Sequence, residues 1–125
     1  MEAVLIDTSV LIGRFRREPR AMAAMERAAG GTYVLCDAIV AEVLAGTRNR
    51  REYTATKQEL FAQFHVLPCT MEVSRHFRYI LDQLESGRDV HFADQFIAAT
   101  ALAHDVPLLT LNKKHFAGIK GLRLV

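Results

Sequence analysis

Apolar residues along this chain fall in short runs separated by stretches with helical patterning. Ala3-Val4-Leu5-Ile6-Asp7 is an aliphatic run that stops at an acid, and an unbroken run of this kind predicts a strand buried on both faces of a parallel sheet. Thr8 and Ser9 are placed to cap a helix beginning Val10-Leu11-Ile12. Pro19 suits the first turn of a second helix, which runs to about Ala29 and ends at Gly30-Gly31. Thr32-Tyr33-Val34-Leu35-Cys36 reads as a second buried strand, and Asp37 as the cap of a helix from Ala38 to Ala45 that Gly46 ends. A longer helix is predicted from Arg50 to Phe64, with Tyr53, Leu60, Phe61 and Phe64 on its inner side. His65-Val66-Leu67 is a third short strand, punctuated by Pro68. Thr70 caps a helix reaching roughly Ser86, with Val73, Phe77, Ile80, Leu81 and Leu84 on one face and Gly87 closing it. A further helix starts near Phe92 and carries Phe96, Ile97, Ala99, Ala101 and Leu102 inward. Pro107-Leu108-Leu109-Thr110-Leu111 is a fourth strand, and Leu122-Arg123-Leu124-Val125 a fifth at the edge.

Strands alternating with helices predict an α/β fold: one domain over residues 1–125, with a mostly parallel sheet of about five strands flanked by helices. Open sheets of this class bind ligands beyond the carboxyl ends of their strands. Half the residues are hydrophobic and 24% are charged, which is enough apolar material for a core and excludes wholesale disorder. No apolar run approaches the ~20 residues of a membrane span, and the first residues lack the basic lead of a secretory signal, so the expected location is cytoplasmic. Cys36 and Cys69 form no CxxC pair and read as reduced thiols near strand ends. The net charge of +2, from 16 Lys and Arg against 14 Asp and Glu, predicts no avid non-specific nucleic-acid binding.

Three acids stand in unusual company. Asp7 ends a buried strand, Glu42 lies inside the most apolar helix of the chain, and Asp94 lies within Phe92-Ala93-Asp94-Gln95-Phe96-Ile97-Ala98-Ala99. A carboxylate among apolar residues is costly unless a cation pairs with it. Each has a structural alternative: Asp7 as a helix cap, Glu42 paired with Arg48, Asp94 as a first-turn acid favoured by the helix dipole. All three fall at the predicted ligand edge, however. Asp37 is better explained by capping, and Asp89 as a loop acid or a reserve ligand. Three converging carboxylates without cysteine or imidazole suit a hard divalent cation, Mg²⁺ or Mn²⁺, and metal-assisted phosphodiester hydrolysis.

The segments Val4-Leu5-Ile6-Asp7-Thr8-Ser9-Val10-Leu11-Ile12, Ala41-Glu42-Val43-Leu44-Ala45-Gly46, Phe92 to Leu102, and Leu109-Thr110-Leu111-Asn112-Lys113-Lys114-His115-Phe116, in that order and spacing, resemble the PIN-domain family. Within it they resemble the VapC-type toxins of type II toxin–antitoxin pairs. The resemblance implies a Mg²⁺- or Mn²⁺-dependent endoribonuclease with Asp7, Glu42 and Asp94 as its catalytic and metal-binding acids. It implies support from Ser9, Thr110 and Asn112. A fourth acid often stands in the last motif, where this chain has His115, so one ion is expected to be held well and a second weakly. The resemblance further implies a cognate antitoxin that blocks the acidic pocket, a homodimer, and promoter DNA bound only through the antitoxin complex.

An acidic pocket repels RNA unless cations flank it. Arg14 and Arg16 with Arg17 and Arg20, then Arg48 and Arg50 with Arg51, then Lys113 with Lys114 are the candidate groups, with helix-end solvation as the alternative for each. Phe15 and Tyr53 are candidates for stacking on a base or for core packing. Two rival classes are a catalytically weak PIN-like module that only binds RNA or protein, and a phosphorelay receiver domain. The receiver fails on residues, because Asp7 has no acidic neighbour and the third strand ends in Pro68-Cys69.

Overall fold

The computed structural model describes residues 2–83 and 91–125. Four strands, β1 (Ala3–Ile6), β2 (Thr32–Cys36), β3 (His65–Leu67) and β4 (Leu108–Leu109), form one parallel sheet in the order β3-β2-β1-β4. The apolar runs are strands because both of their faces are covered: Leu5, Ile6, Leu35, Leu108 and Leu109 are fully buried. The helices are α1 (Thr8–Phe15), α2 (Pro19–Arg27), α3 (Asp37–Ala45), α4 (Arg50–Gln63), α5 (Met71–Asp82), α6 (Phe92–Ala103) and α7 (Lys113–Phe116). Every connection between parallel neighbours needs such a crossover. The strand order reverses direction at β1, so β1 and β4 flank the sheet's switch point, where a crevice opens beyond their carboxyl ends.

Several predicted details shift. The predicted fifth strand contributes a single parallel bridge, Leu108 to Leu124, since only the short β4 is there to pair with it. Asp37 is the first residue of α3 and Cys36 holds the cap position, so Asp37 interacts with the helix dipole rather than capping by side chain. Phe61 is half exposed and Leu81 is also exposed, although the helical stripe puts both on inner faces; Leu60, Phe64, Val73 and Ile80 form those faces. Leu84, Ser86, Gly87 and Asp89 lie outside the described residues. Thr70 does cap α5, its hydroxyl accepting from the Val73 N–H at 3.3 Å. Helix α7 leaves no mark in the sequence pattern: a single turn has no periodicity to detect, and it is secured by the burial of Phe116. Between α1 and α2 the approach is close enough to require glycine, because a Cβ on Gly13 would lie 2.5 Å from the Cβ of Ala21. Cys36 is buried, Cys69 is exposed, and neither is disulfide-bonded.

Candidate active site

Asp7 follows β1 directly, and its backbone N–H continues the sheet ladder to the Leu109 carbonyl at 2.9 Å. It occupies the cap position of α1 but makes no side-chain cap bond. Instead its Oδ2 accepts from the hydroxyls of Thr110 at 2.7 Å and Ser9 at 3.0 Å. Ser9 Oγ in turn accepts the Leu111 N–H, and Thr110 Oγ1 accepts the Asn112 N–H. The segment leaving β4 is therefore stitched to the segment leaving β1, and Asp7 is held at 3% exposure. Burial pushes its carboxyl above the ordinary value; the Thr110 and Ser9 hydroxyls and the Thr8 N–H oppose the rise, and the charge of Asp94 adds to it.

Glu42 projects from α3, exposed, with Oε1 accepting the Thr8 hydroxyl at 2.9 Å. Desolvation raises its pKa, the Thr8 bond lowers it, and the charges of Asp7 and Asp94 raise it further. The predicted alternative partner, Arg48, pairs with Glu52 instead. Asp94 sits in the first turn of α6, half-buried, and its Oδ2 accepts from His115 Nδ1 at 3.0 Å. The His115 ring stacks on His91, centroids 5.0 Å apart and planes nearly parallel. Glu42, Asp94, Asn112, His115, His91 and Phe92 line one cavity of about 370 Å³.

Asp7 thus feels the charge of Asp94, and Glu42 feels those of Asp7 and Asp94, from three different elements. In each, a single oxygen takes the side-chain hydrogen bonds and the other oxygen accepts none from a side chain among the described residues. Three carboxylate oxygens that take no side-chain hydrogen bond form a donor set that fits a hard, oxygen-preferring divalent cation. Among the described residues no three His, Cys, Asp or Glu side chains lie within direct reach of one ion. A hard ion that keeps several of its waters, as Mg²⁺ does, would suit that spacing, with Asp7, Glu42 and Asp94 as the residues that would hold it.

Of the remaining site residues predicted from sequence, Asn112 reaches the cavity and Ser9 and Thr110 orient Asp7. The cations are more dispersed. The Arg14 guanidinium lies over the Phe64 ring at 5.5 Å and that of Arg50 over Tyr53 at 4.9 Å. Arg16 is exposed after α1, and Lys113 opens α7. Sequence reasoning misses Thr8 and His91 as site residues. Thr8 is legible only as a possible helix cap, and nothing in the sequence marks His91 as a partner for His115.

A PIN domain family model matches residues 4–122. Among curated proteins, Ribonuclease VapC1 of Methanocaldococcus jannaschii is 30% identical over 125 residues, 97% of this chain and 85% of the relative. Among solved structures, a toxin-antitoxin complex from Klebsiella pneumoniae matches at 26% identity and a TM-score of 0.75, covering 95% of this chain and 94% of that one. A DNA-bound VapBC from Salmonella typhimurium matches at 20% identity and a TM-score of 0.82, covering 100% and 98%. Buried Asp7 at the switch point, the acids of α3 and α6 facing it, and these matches across nearly the whole length lead to one assignment: the chain belongs to the PIN domain family.

Proposed function

We propose that this protein is the toxin of a type II toxin–antitoxin system, an endoribonuclease that hydrolyses RNA phosphodiester bonds with Mg²⁺ or Mn²⁺. Residues 1–125 act as one ribonuclease domain, and Asp7, Glu42 and Asp94 are its catalytic and metal-binding acids. The observation that carries this reading is the trio itself: three carboxylates from separate elements, with Asp94 raising the cost of ionising Asp7 and both raising that of Glu42, each with one oxygen that takes no side-chain hydrogen bond among the described residues. Such an arrangement destabilises the fold unless a cation repays it. When bound, the divalent ion supplies Lewis acidity to the phosphate and lowers the pKa of a water.

The chain's own residues supply the remaining functions. Thr110 and Ser9 fix the Asp7 carboxylate so that its free oxygen points in one direction, which is the positioning role of groups behind a metal ligand. Thr8 does the same for Glu42, and Asn112 offers an amide at the cavity wall. Glu42, being exposed, is free to orient an attacking water. His115 donates to Asp94 where related chains often carry another acid; a metal would therefore compete with an imidazole for Asp94, which supports one well-held ion rather than two.

The ribonuclease name of the Methanocaldococcus jannaschii relative and the toxin-antitoxin complex from Klebsiella pneumoniae support the same reading. By that likeness the partners are a cognate antitoxin, which neutralises the acidic pocket, and promoter DNA reached only through the antitoxin complex. The toxin itself is a cytoplasmic homodimer with RNA as its substrate. Purified protein should cleave RNA in Mg²⁺ or Mn²⁺ and stop on chelation. Undiminished cleavage in EDTA would overturn the mechanism. Failure of a small co-expressed protein from the neighbouring reading frame to co-purify and inhibit would overturn the toxin role.

A further inference from the structure

A second cavity, of about 390 Å³, opens beside the acidic one between α2 and α7. Its walls carry Arg20 and Arg27 from α2 and Lys113 and Lys114 from α7, and no acid lines it. All four side chains belong to exposed residues, and none forms an ion pair among the described residues. Arg20 and Arg27 are seven residues apart on one helix, hence two turns and about 10 Å apart on the same side. Asn112 and His115 line both this cavity and the acidic one, so the two share a wall.

Four unneutralised cations around a concave surface raise the local concentration of polyanions, and the effect fades with salt. We infer that this α2–α7 notch is the phosphate track of the substrate: it holds the RNA backbone next to the phosphate presented to Asp7, Glu42 and Asp94. The inference rests on the ribonuclease reading above and adds the path of the strand, with Arg20 and Arg27 as positioning residues. RNA is favoured over an acidic peptide because the shared wall makes the notch continuous with the acids, as a chain of evenly spaced phosphates requires. Of the cations singled out from sequence, Arg14 and Arg50 lie on aromatic rings and Arg48 pairs with Glu52. Arg20, Lys113 and Lys114 are the members of that set that line the notch.

The test measures binding of a mixed-sequence single-stranded RNA oligonucleotide by fluorescence anisotropy in Mg²⁺, across a series of KCl concentrations. The uncleaving Asp94→Asn background keeps the probe intact, while unaltered protein is assayed for cleavage in parallel. Removing one cation that neutralises a phosphate of a single strand should lower the slope of log affinity against log salt by about 0.7. Arg20→Ala/Arg27→Ala should therefore lower it by about 1.4 and weaken binding roughly ten-fold at low salt, uniformly across sequences. Arg20→Lys/Arg27→Lys should restore most of the slope, because a point charge suffices for a phosphate. In an otherwise unaltered enzyme the Ala pair should raise KM with little change in kcat. Arg78→Ala, an exposed cation on α5, should leave the slope as it was. Equal melting temperatures for all variants exclude a folding effect. Should unaltered protein cleave RNA while the Ala pair keeps slope and KM, the notch assignment fails and the ribonuclease reading stands. A defect of the Ala pair confined to inhibition by a protein partner also overturns the notch as an RNA track. An unaltered protein that neither binds nor cleaves RNA overturns both.

Discussion

Asp7 and Glu42 are carboxylates shifted in the same direction and held in opposite ways. Asp7 is buried at the end of a sheet strand and tied by two hydroxyls from different parts of the chain; Glu42 stands exposed on a helix with one hydroxyl partner. Burial is the first cause of the raised pKa in both, yet only Asp7 is enclosed by the core that holds the sheet together. A buried carboxylate is a structural commitment, whereas an exposed one can change partners at little cost to the fold. The buried acid is the fixed point of the site and the exposed acid is its adjustable arm.

The largest expected effect is on chemistry, and both acids should share it. Asp7→Asn and Glu42→Gln should each lower RNA cleavage by at least about a thousand-fold. Activity surviving in either variant would remove that acid from the site. Next in size is the tether. Thr110→Val keeps the shape but deletes the 2.7 Å bond to Asp7, and should cost about 10–100-fold in metal affinity or activity. The corresponding Thr8→Val change beside Glu42 should cost less; an equal or larger loss would reverse the contrast between fixed and adjustable acids.

Stability without metal separates the two acids further. The folded-state pKa of Asp7 is raised above its ordinary 3.8, so the fold favours the protonated form. The stabilisation this gives is complete below pH 3.8 and is lost as pH climbs through the raised value. Asp7→Asn should therefore gain little at low pH and raise the metal-free Tm by about 2–5 °C near neutrality. Glu42→Gln should move the Tm less, because water screens an exposed carboxylate. Thermal unfolding in EDTA across that pH range decides the matter, and equal shifts for the two variants would break the comparison. The smallest effect is expected at His115. His115→Asp should tighten a second Mn²⁺ site several-fold in calorimetric titration, since an added charge acts on the cation in an open cavity. No gain would show that the histidine does not set the metal count.

The strand–helix order and the three acids are legible in the sequence because buried parallel strands leave unbroken apolar runs, and an acid that ends or interrupts such a run stands out. Ser9 and Thr110 can be named from family likeness, but the bond that Thr110 makes to Asp7 spans 103 positions, and no local pattern encodes an interaction of that range. Phe61 shows a second limit: a helical stripe reveals which residues share a face, not how far the neighbouring element extends to cover it. The cations are the least legible group. Their role depends on which aromatic ring or carboxylate lies opposite, as Arg14 over Phe64 and Arg48 beside Glu52 show, and only tertiary structure sets that. Arg27 draws no notice because in sequence it is one charge on an ordinary amphipathic helix.

The bond between Asp7 and Thr110 also has a consequence in time. A chain emerging at about 5–20 residues per second presents Asp7 roughly 5–20 s before Thr110, given the 103 positions between them. During that interval β1 has no β4 beside it, the Asp7 carboxylate lacks its strongest tether, and α6 with Asp94 is still arriving. That tether can form only once the segment leaving β4 lies beside β1. A site that needs Asp7 held by this tether is therefore incomplete until the segment bearing Thr110 has emerged.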